Sequence, residues 1–412
     1  MSRPAARLDP PEATGEGVRF GLRVGEETSA FTYTCRDGSL DANPDAGFAA
    51  ALPMAMGLAS SLEAPDGVSP RLLESAGSIQ RLLAAWDRGL QPVEVRSGAG
   101  PSSSGNEASS GGDAAAREAD AKPRGTAAFF TGGVDSFYTV LTRREQIDAL
   151  VYIHGFDLPL EEERKGELVS ASLRDVAGEL GLPLIEVETD LRAASDRACS
   201  WELVYTGAAL ASVGHLLASR FGRILIPATH SFRDLHPIGT HPLLDPLYSS
   251  ERVRFEHVDS VTRVEKLAYL AESELAMSSL RVCFQPGVDD ALNCGSCPKC
   301  MRTMTGLRVV GAPGRCATLP GDFSLWQMAG GPVRSRTSLT YVRENLEAVD
   351  ARGADPELAF ALRRLVARGA RREAWVETRR LTVGARRAAM ARVPLLRRAL
   401  RAARRVVRPR RG

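Results

Sequence analysis

Between residues 126 and 258, short apolar runs alternate with amphipathic stretches of helical length. The runs predict strands at 127–131, 149–154, 184–188 and 223–228, with a shorter one at 255–258. Helical periodicity between them predicts helices at 135–144, 164–180 and 194–221. Strands that are apolar throughout and alternate with helices belong to a parallel sheet covered on both faces, an α/β fold. Ligands of such sheets bind beyond the carboxyl ends of the strands. That gathers residues 131–136, His154, Asp190, Thr229 and His230 around one crevice.

The pattern differs on either side of this region. Alternation at 17–24 and 30–35 predicts strands, and helical periodicity follows at 46–62 and 69–86. Residues 1–96 therefore read as an N-terminal α+β module, a scaffold without recognisable chemistry. Residues 97–124 are Ser, Gly, Ala and acid with few large apolar groups, a composition that predicts a flexible linker. The sheet domain is then expected at 125–318 and a C-terminal helical region at 319–412. Asp355-Pro356 supplies a helix cap and first-turn proline ahead of an apolar stripe at Leu358, Leu362 and Leu365. At the far end, Val393, Leu396, Leu400, Ala403 and Val407 fall on one helical face. Arg397, Arg398, Arg401, Arg404, Arg405 and Arg408 fall on another.

Charge sharpens that last feature. The 412 residues carry a net +3, yet residues 371–412 hold 15 Arg against two acids, so the body is mildly acidic and the tail strongly basic. A basic amphipathic tail suits an anionic membrane surface or an acidic partner, and its bland alternative is a packed terminal helix with solvated arginines. Aromatic residues are absent from Arg379 onward, which counts against stacking on nucleic-acid bases. The longest apolar-rich run, 47–62, is too short to span a membrane, and no apolar signal segment opens the chain. Seven cysteines with four bunched suggest metal ligands in a reducing compartment. A cytoplasmic location, peripheral at the membrane surface if the tail binds there, is expected.

Three groups of residues carry candidate chemistry. Thr131-Gly132-Gly133-Val134-Asp135-Ser136 follows the first sheet strand and opens a helix. Paired glycines turn tightly and aim bare amides at an anion, the helix dipole adds to them, and no Walker-type Lys precedes the hydroxyl residue. The bland alternative is an ordinary Gly-rich turn. Cys283, Cys294, Cys297 and Cys300, spaced C-x10-C-x2-C-x2-C, predict a closed and therefore structural zinc site, with an iron–sulfur cluster as the alternative. Cys35, Cys199 and Cys316 read as small buried apolar residues. His230, His236 and His241 lie with Asp234 and Asp245 in one long loop that would hold substrate or move protons, or would only brace its prolines. Arg263 and Lys266 open the next helix, either to meet an anion in the cradle or as solvated charges.

The cradle resembles the PP-loop of the ATP pyrophosphatases, with Thr131 where Ser is usual. Together with the four-cysteine knuckle some 150 residues later, it resembles the 7-cyano-7-deazaguanine synthase family of that superfamily, over roughly 126–307. The resemblance implies a Rossmann-like sheet of the HUP (adenine nucleotide alpha hydrolase-like) class. It also implies a ligase that adenylates a carboxylate or amide with ATP, releases pyrophosphate, and passes the acyl group to ammonia or an amine. Residues Thr131, Gly132, Gly133, Val134, Asp135, Ser136 and His154 would hold ATP. Asp135, Ser136, His230, Asp245 and Arg263 would act in catalysis, Asp135 through Mg2+, and the four cysteines would bind Zn2+. Asp135→Ala is expected to abolish pyrophosphate release and leave the fold intact. The expected partners are a small-molecule or peptide carboxylate and an amine donor, with a homodimer left open. Two alternatives stand beside this: a tRNA-thiolating relative using Cys199, and a non-catalytic zinc-containing regulator that binds nucleotide or nucleic acid.

Overall fold

A computed structural model of the chain describes residues 3–97, 124–285, 290–321, 323–331, 333, 335–353 and 355–392. The linker expected at 97–124 lies outside these except for its two end residues, and so does the basic amphipathic face expected at 393–408. No described helix is long and apolar enough to cross a membrane.

The N-terminal residues supply β1 (Ala5–Leu8), β2 (Glu12–Ala13), β3 (Gly17–Val24), β4 (Glu27–Cys35), β5 (Ser61–Ala64) and β6 (Glu94–Ser97). The apolar runs beyond residue 124 form β7 (Gly125–Phe129), β8 (Ala149–His154), β9 (Leu184–Thr189), β10 (Phe221–Pro227) and β11 (Arg254–Val258). All eleven described strands join one mixed sheet in the order β11-β10-β7-β8-β9-β4-β3-β1-β5-β6, with β2 beside β3. Strands β7 to β11 pair only in parallel with one another, as their apolar runs predict. Their order runs β9, β8, β7, β10, β11, so the chain reverses direction across the sheet between β7 and β10.

The expected boundary between residues 1–96 and the sheet domain is not a boundary of the sheet. Strand β4 pairs antiparallel with β9, with Tyr33 opposite Thr189 and Cys35 opposite Val187, and so closes an edge that β9 would otherwise expose. The Asp190 carboxylate accepts the Thr32 amide at 2.7 Å, and the Tyr33 hydroxyl meets Ser212 Oγ at 2.6 Å. Helix Pro44–Leu58 is buried over most of its surface and packs on helix Thr206–Leu216. The chain divides into two compact units, but the division falls between residues 322 and 323.

Two predicted helices are also corrected. The first ends at Leu58, and residues 61–64 become β5. The long helix expected at 194–221 breaks into Leu191–Ser195, a π turn at Trp201–Tyr205 capped by Ser200, and Thr206–Leu216. In the second unit, helices Leu325–Gly330, Arg336–Arg352 and Pro356–Arg392 follow, with Leu358, Leu362 and Leu365 buried as the stripe requires.

Candidate functional site

Strand β7 ends at Phe129, and the helix Val134–Thr142 begins five residues later. The intervening turn depends on Gly132, which holds φ +71°, and a Cβ there would lie 3.0 Å from Leu173 Cδ2. Gly133 is the N-cap and carries no side chain to satisfy the first-turn amides. Ser136 ties the loop together from inside: its Oγ donates to the Gly133 carbonyl at 3.1 Å and accepts the Thr131 amide at 3.3 Å. The result is a short turn with uncapped amides, placed where the strand order reverses between β7 and β10. Crevices at such points are where open α/β sheets bind ligands.

Positive charge surrounds this turn. A capping box of Thr262 and Glu265 starts helix Arg263–Leu270 and aims its first turn at the cradle. Lys266, wholly buried, places Nζ 2.8 Å from Asp135 Oδ1 and also donates to the Ala228 carbonyl. Arg263 Nη1 lies 3.3 Å from Asp135 Oδ2. Burial pushes the Asp135 carboxyl upward, but Lys266 and Arg263 outweigh it and hold the group below its ordinary value. Both oxygens of Asp135 thus face cations, which disfavours a third, metallic cation; the magnesium role expected for Asp135 has no support here. From the opposite side, the Arg281 amide donates to the Gly132 carbonyl at 2.8 Å, and the Arg281 guanidinium lies 3.6 Å from Asp157. The charges of Asp157, Arg302, Arg263 and Arg281 all act on Lys299, whose Nζ sits 3.0 Å from the centre of the Phe284 ring. Five cations therefore share the neighbourhood of the cradle with two carboxylates, Asp135 and Asp157.

The four cysteines come together and could hold a metal ion such as zinc. All four Sγ atoms lie within 4.8 Å of one another, with separations of 3.5 Å for Cys297–Cys300 and 3.9 Å for both Cys294–Cys300 and Cys283–Cys297. Thiolates about 2.3 Å from a tetrahedral ion stand roughly 3.8 Å apart, so the cluster fits. The Cys297 amide donates to Cys294 Sγ at 3.2 Å, and the Cys300 amide to Cys297 Sγ at 3.5 Å, which stabilises charge on sulfur. Gly295 makes the knuckle turn at φ +73°, where a Cβ would strike Pro320. Asn293 couples knuckle and cradle. Its Oδ1 accepts the Val282 and Cys283 amides at 2.8 and 3.1 Å, and its Nδ2 donates to the Leu280 carbonyl at 2.8 Å. This fixes the strand of chain that lays Arg281 on Gly132.

The remaining predicted residues divide. His230 is buried beside His236, ring centres 4.3 Å apart, and near enough to Asp135, Lys266 and Arg302 to feel their charges. Burial, then His236, lowers it to about 3, so it is neutral at pH 7. His154 is committed elsewhere: its Nε2 meets Glu186 Oε2 at 2.8 Å, with Ser170 and Arg174 on the same carboxylate. Ser170 and Glu186 both address that one ring nitrogen, so the trio is not a relay through the imidazole. Asp245 is wholly buried, bound to His257 Nδ1 at 2.7 Å and to the His241 amide at 3.1 Å. His241 packs on Trp86. These contacts make Asp245 and His241 braces of the loop, the bland alternative for both. Sequence reasoning missed Asp157, Arg281, Asn293, Lys299, Arg302 and His257. Arg281, Lys299 and Arg302 adjoin the cysteine motif, and that adjacency was the available signal. No protein-family model, no curated protein and no solved structure matches this chain.

Proposed function

We propose that the chain is an ATP-dependent ligase of the PP-loop type, whose cradle receives pyrophosphate. One observation carries the reading: an uncapped helix N-terminus behind two glycines, at the reversal point of the parallel strands, has Arg263, Lys266 and Arg281 in contact with it and Arg302 and Lys299 near by, against the carboxylates Asp135 and Asp157. An excess of buried positive charge beside bare amides suits a polyanion such as the phosphates of ATP. The strand order β9-β8-β7-β10-β11 is that of a nucleotide-binding Rossmann-like sheet and supports the HUP-like assignment.

In this reading a carboxylate (or amide) oxygen bonds to the α-phosphorus of ATP as the bond to the β-phosphate oxygen breaks. Pyrophosphate leaves into the cradle, where the amides of 132–136 and the side chains of Arg263 and Lys266 stabilise its charge. The nitrogen of ammonia or an amine then bonds to the acyl carbon, the acyl–oxygen bond breaks, AMP departs, and the surplus proton passes to solvent. A zinc ion held by Cys283, Cys294, Cys297 and Cys300 would supply a cross-link and no step of the reaction. Thiolation through Cys199 is disfavoured, because burial raises that thiol to about 12.

The test is ATP–pyrophosphate exchange across carboxylated heterocycles, amino acids and peptide termini. At least one should drive exchange in the native chain, and Gly132→Ala should lower the rate by more than about tenfold, since the left-handed backbone strains any side chain. A chain that neither binds ATP nor exchanges pyrophosphate with any of them contradicts the proposal.

A further inference from the structure

One cation at the cradle has hydrogen-bonding capacity that the protein leaves unused. The Arg281 side chain is 1% exposed, yet its Nε and Nη2 find no hydrogen-bond partner among the described residues. Leaving buried donors unmet is costly, so such a group points to something that the free protein lacks. Nη1 is occupied loosely, 3.5 Å from the Thr131 carbonyl and 3.6 Å from Asp157, and the Tyr152 hydroxyl also lies by the guanidinium. Phe284 stacks on the guanidinium at 4.9 Å, and the residue's own amide is fixed to Gly132. The head group is therefore held beside the first residues of the cradle with one edge buried and unpaired. Nε and Nη2 form the side edge of the guanidinium, whose two parallel N–H bonds match two oxygens of one phosphate or carboxylate group.

We infer that Arg281 is a ligand-binding residue of the cradle, its Nε–Nη2 edge taking two oxygens of a diphosphate. Since Nη1 lies by the Thr131 carbonyl and the Arg281 amide is bonded to Gly132, the guanidinium stands at the pyrophosphate end of the nucleotide, and AMP alone does not engage it. The inference rests on the ligase reading above and names the group that the site selects.

The test is calorimetric titration of the zinc-loaded full chain with inorganic pyrophosphate, a non-hydrolysable ATP analogue and AMP. Arg281→Gln should weaken pyrophosphate and the analogue by about 30-fold and AMP by less than about twofold. Arg281→Lys, which keeps the charge but loses the fork, should recover only part of that loss. Arg315→Gln, at an exposed pair with Glu274, should bind as the native chain does. A folded Arg281→Gln variant with native pyrophosphate affinity overturns the inference and leaves the ligase reading standing. Equal loss for AMP overturns the diphosphate assignment. If Arg281→Gln loses its zinc or its fold, the Lys variant decides, and native affinity there overturns the inference. A native chain that binds neither pyrophosphate nor the analogue overturns both.

Discussion

Lys266 is wholly buried, and Asp135 supplies the carboxylate facing it, with Arg263 close behind. Removing one member of such a group strands charge inside the protein at a cost of about 3–5 kcal/mol. Asp135→Ala should therefore lower the urea midpoint markedly, which revises the expectation that this variant leaves the fold intact; an unchanged midpoint would show that the three groups are not coupled. His230 makes a second prediction at this scale. Its pKa falls to about 3 in the folded chain, so between pH 6.5 and 3 the unfolded chain binds a proton that the folded one refuses. Stability should fall as pH drops below about 6.5, and comparison of urea midpoints at pH 7 and 5 should show a smaller fall in His230→Gln. Asp135, Ser136 and the glycines were legible because their order and spacing carry the chemistry. The buried partners of His154 and Asp245 were not legible, because sequence places a residue at a strand end or in a loop without revealing which side chain claims it.

At the level of elements, the segment 280–283 connects the cysteine knuckle to the cradle. Asn293 holds it by hydrogen bonds to two amides and a carbonyl, each worth about 1 kcal/mol net. Asn293→Ala should cost about 2–3 kcal/mol in chemical unfolding and weaken pyrophosphate binding although the residue touches no cradle atom. Cys297→Ser should lose bound zinc by elemental analysis and show the same secondary loss of binding; native pyrophosphate affinity in a zinc-free chain would break the link between the two elements. The cysteine spacing announced the knuckle, whereas Asn293 left no signal, because its role depends on chain segments meeting in space. Strands β1, β5 and β6, of four residues each, were equally silent: a run so short has too few positions to display a period.

Across the whole molecule, residues 3–97 are built into the sheet rather than appended to it. Removing residues 1–96 would strip β4 from β9 and expose the apolar partners of helix Pro44–Leu58, so a chain starting at 125 should be insoluble or unfolded by circular dichroism. A cooperatively folded product would restore the two-module division. Sequence pattern could not show this union, since the composition change after residue 97 marks a break along the chain and carries no information about which strands pair across it. The parallel pairing of β7 to β11 was foreseeable from their apolar runs, and the order they adopt sets the cradle at the reversal point on which the functional account depends. Amide hydrogen exchange across residues 131–137, with and without saturating ATP, tests that account most directly. The bare amides of the turn should slow by about tenfold or more when nucleotide binds, and Arg281→Gln should reduce that protection. Exchange unchanged by bound ATP would contradict the cradle.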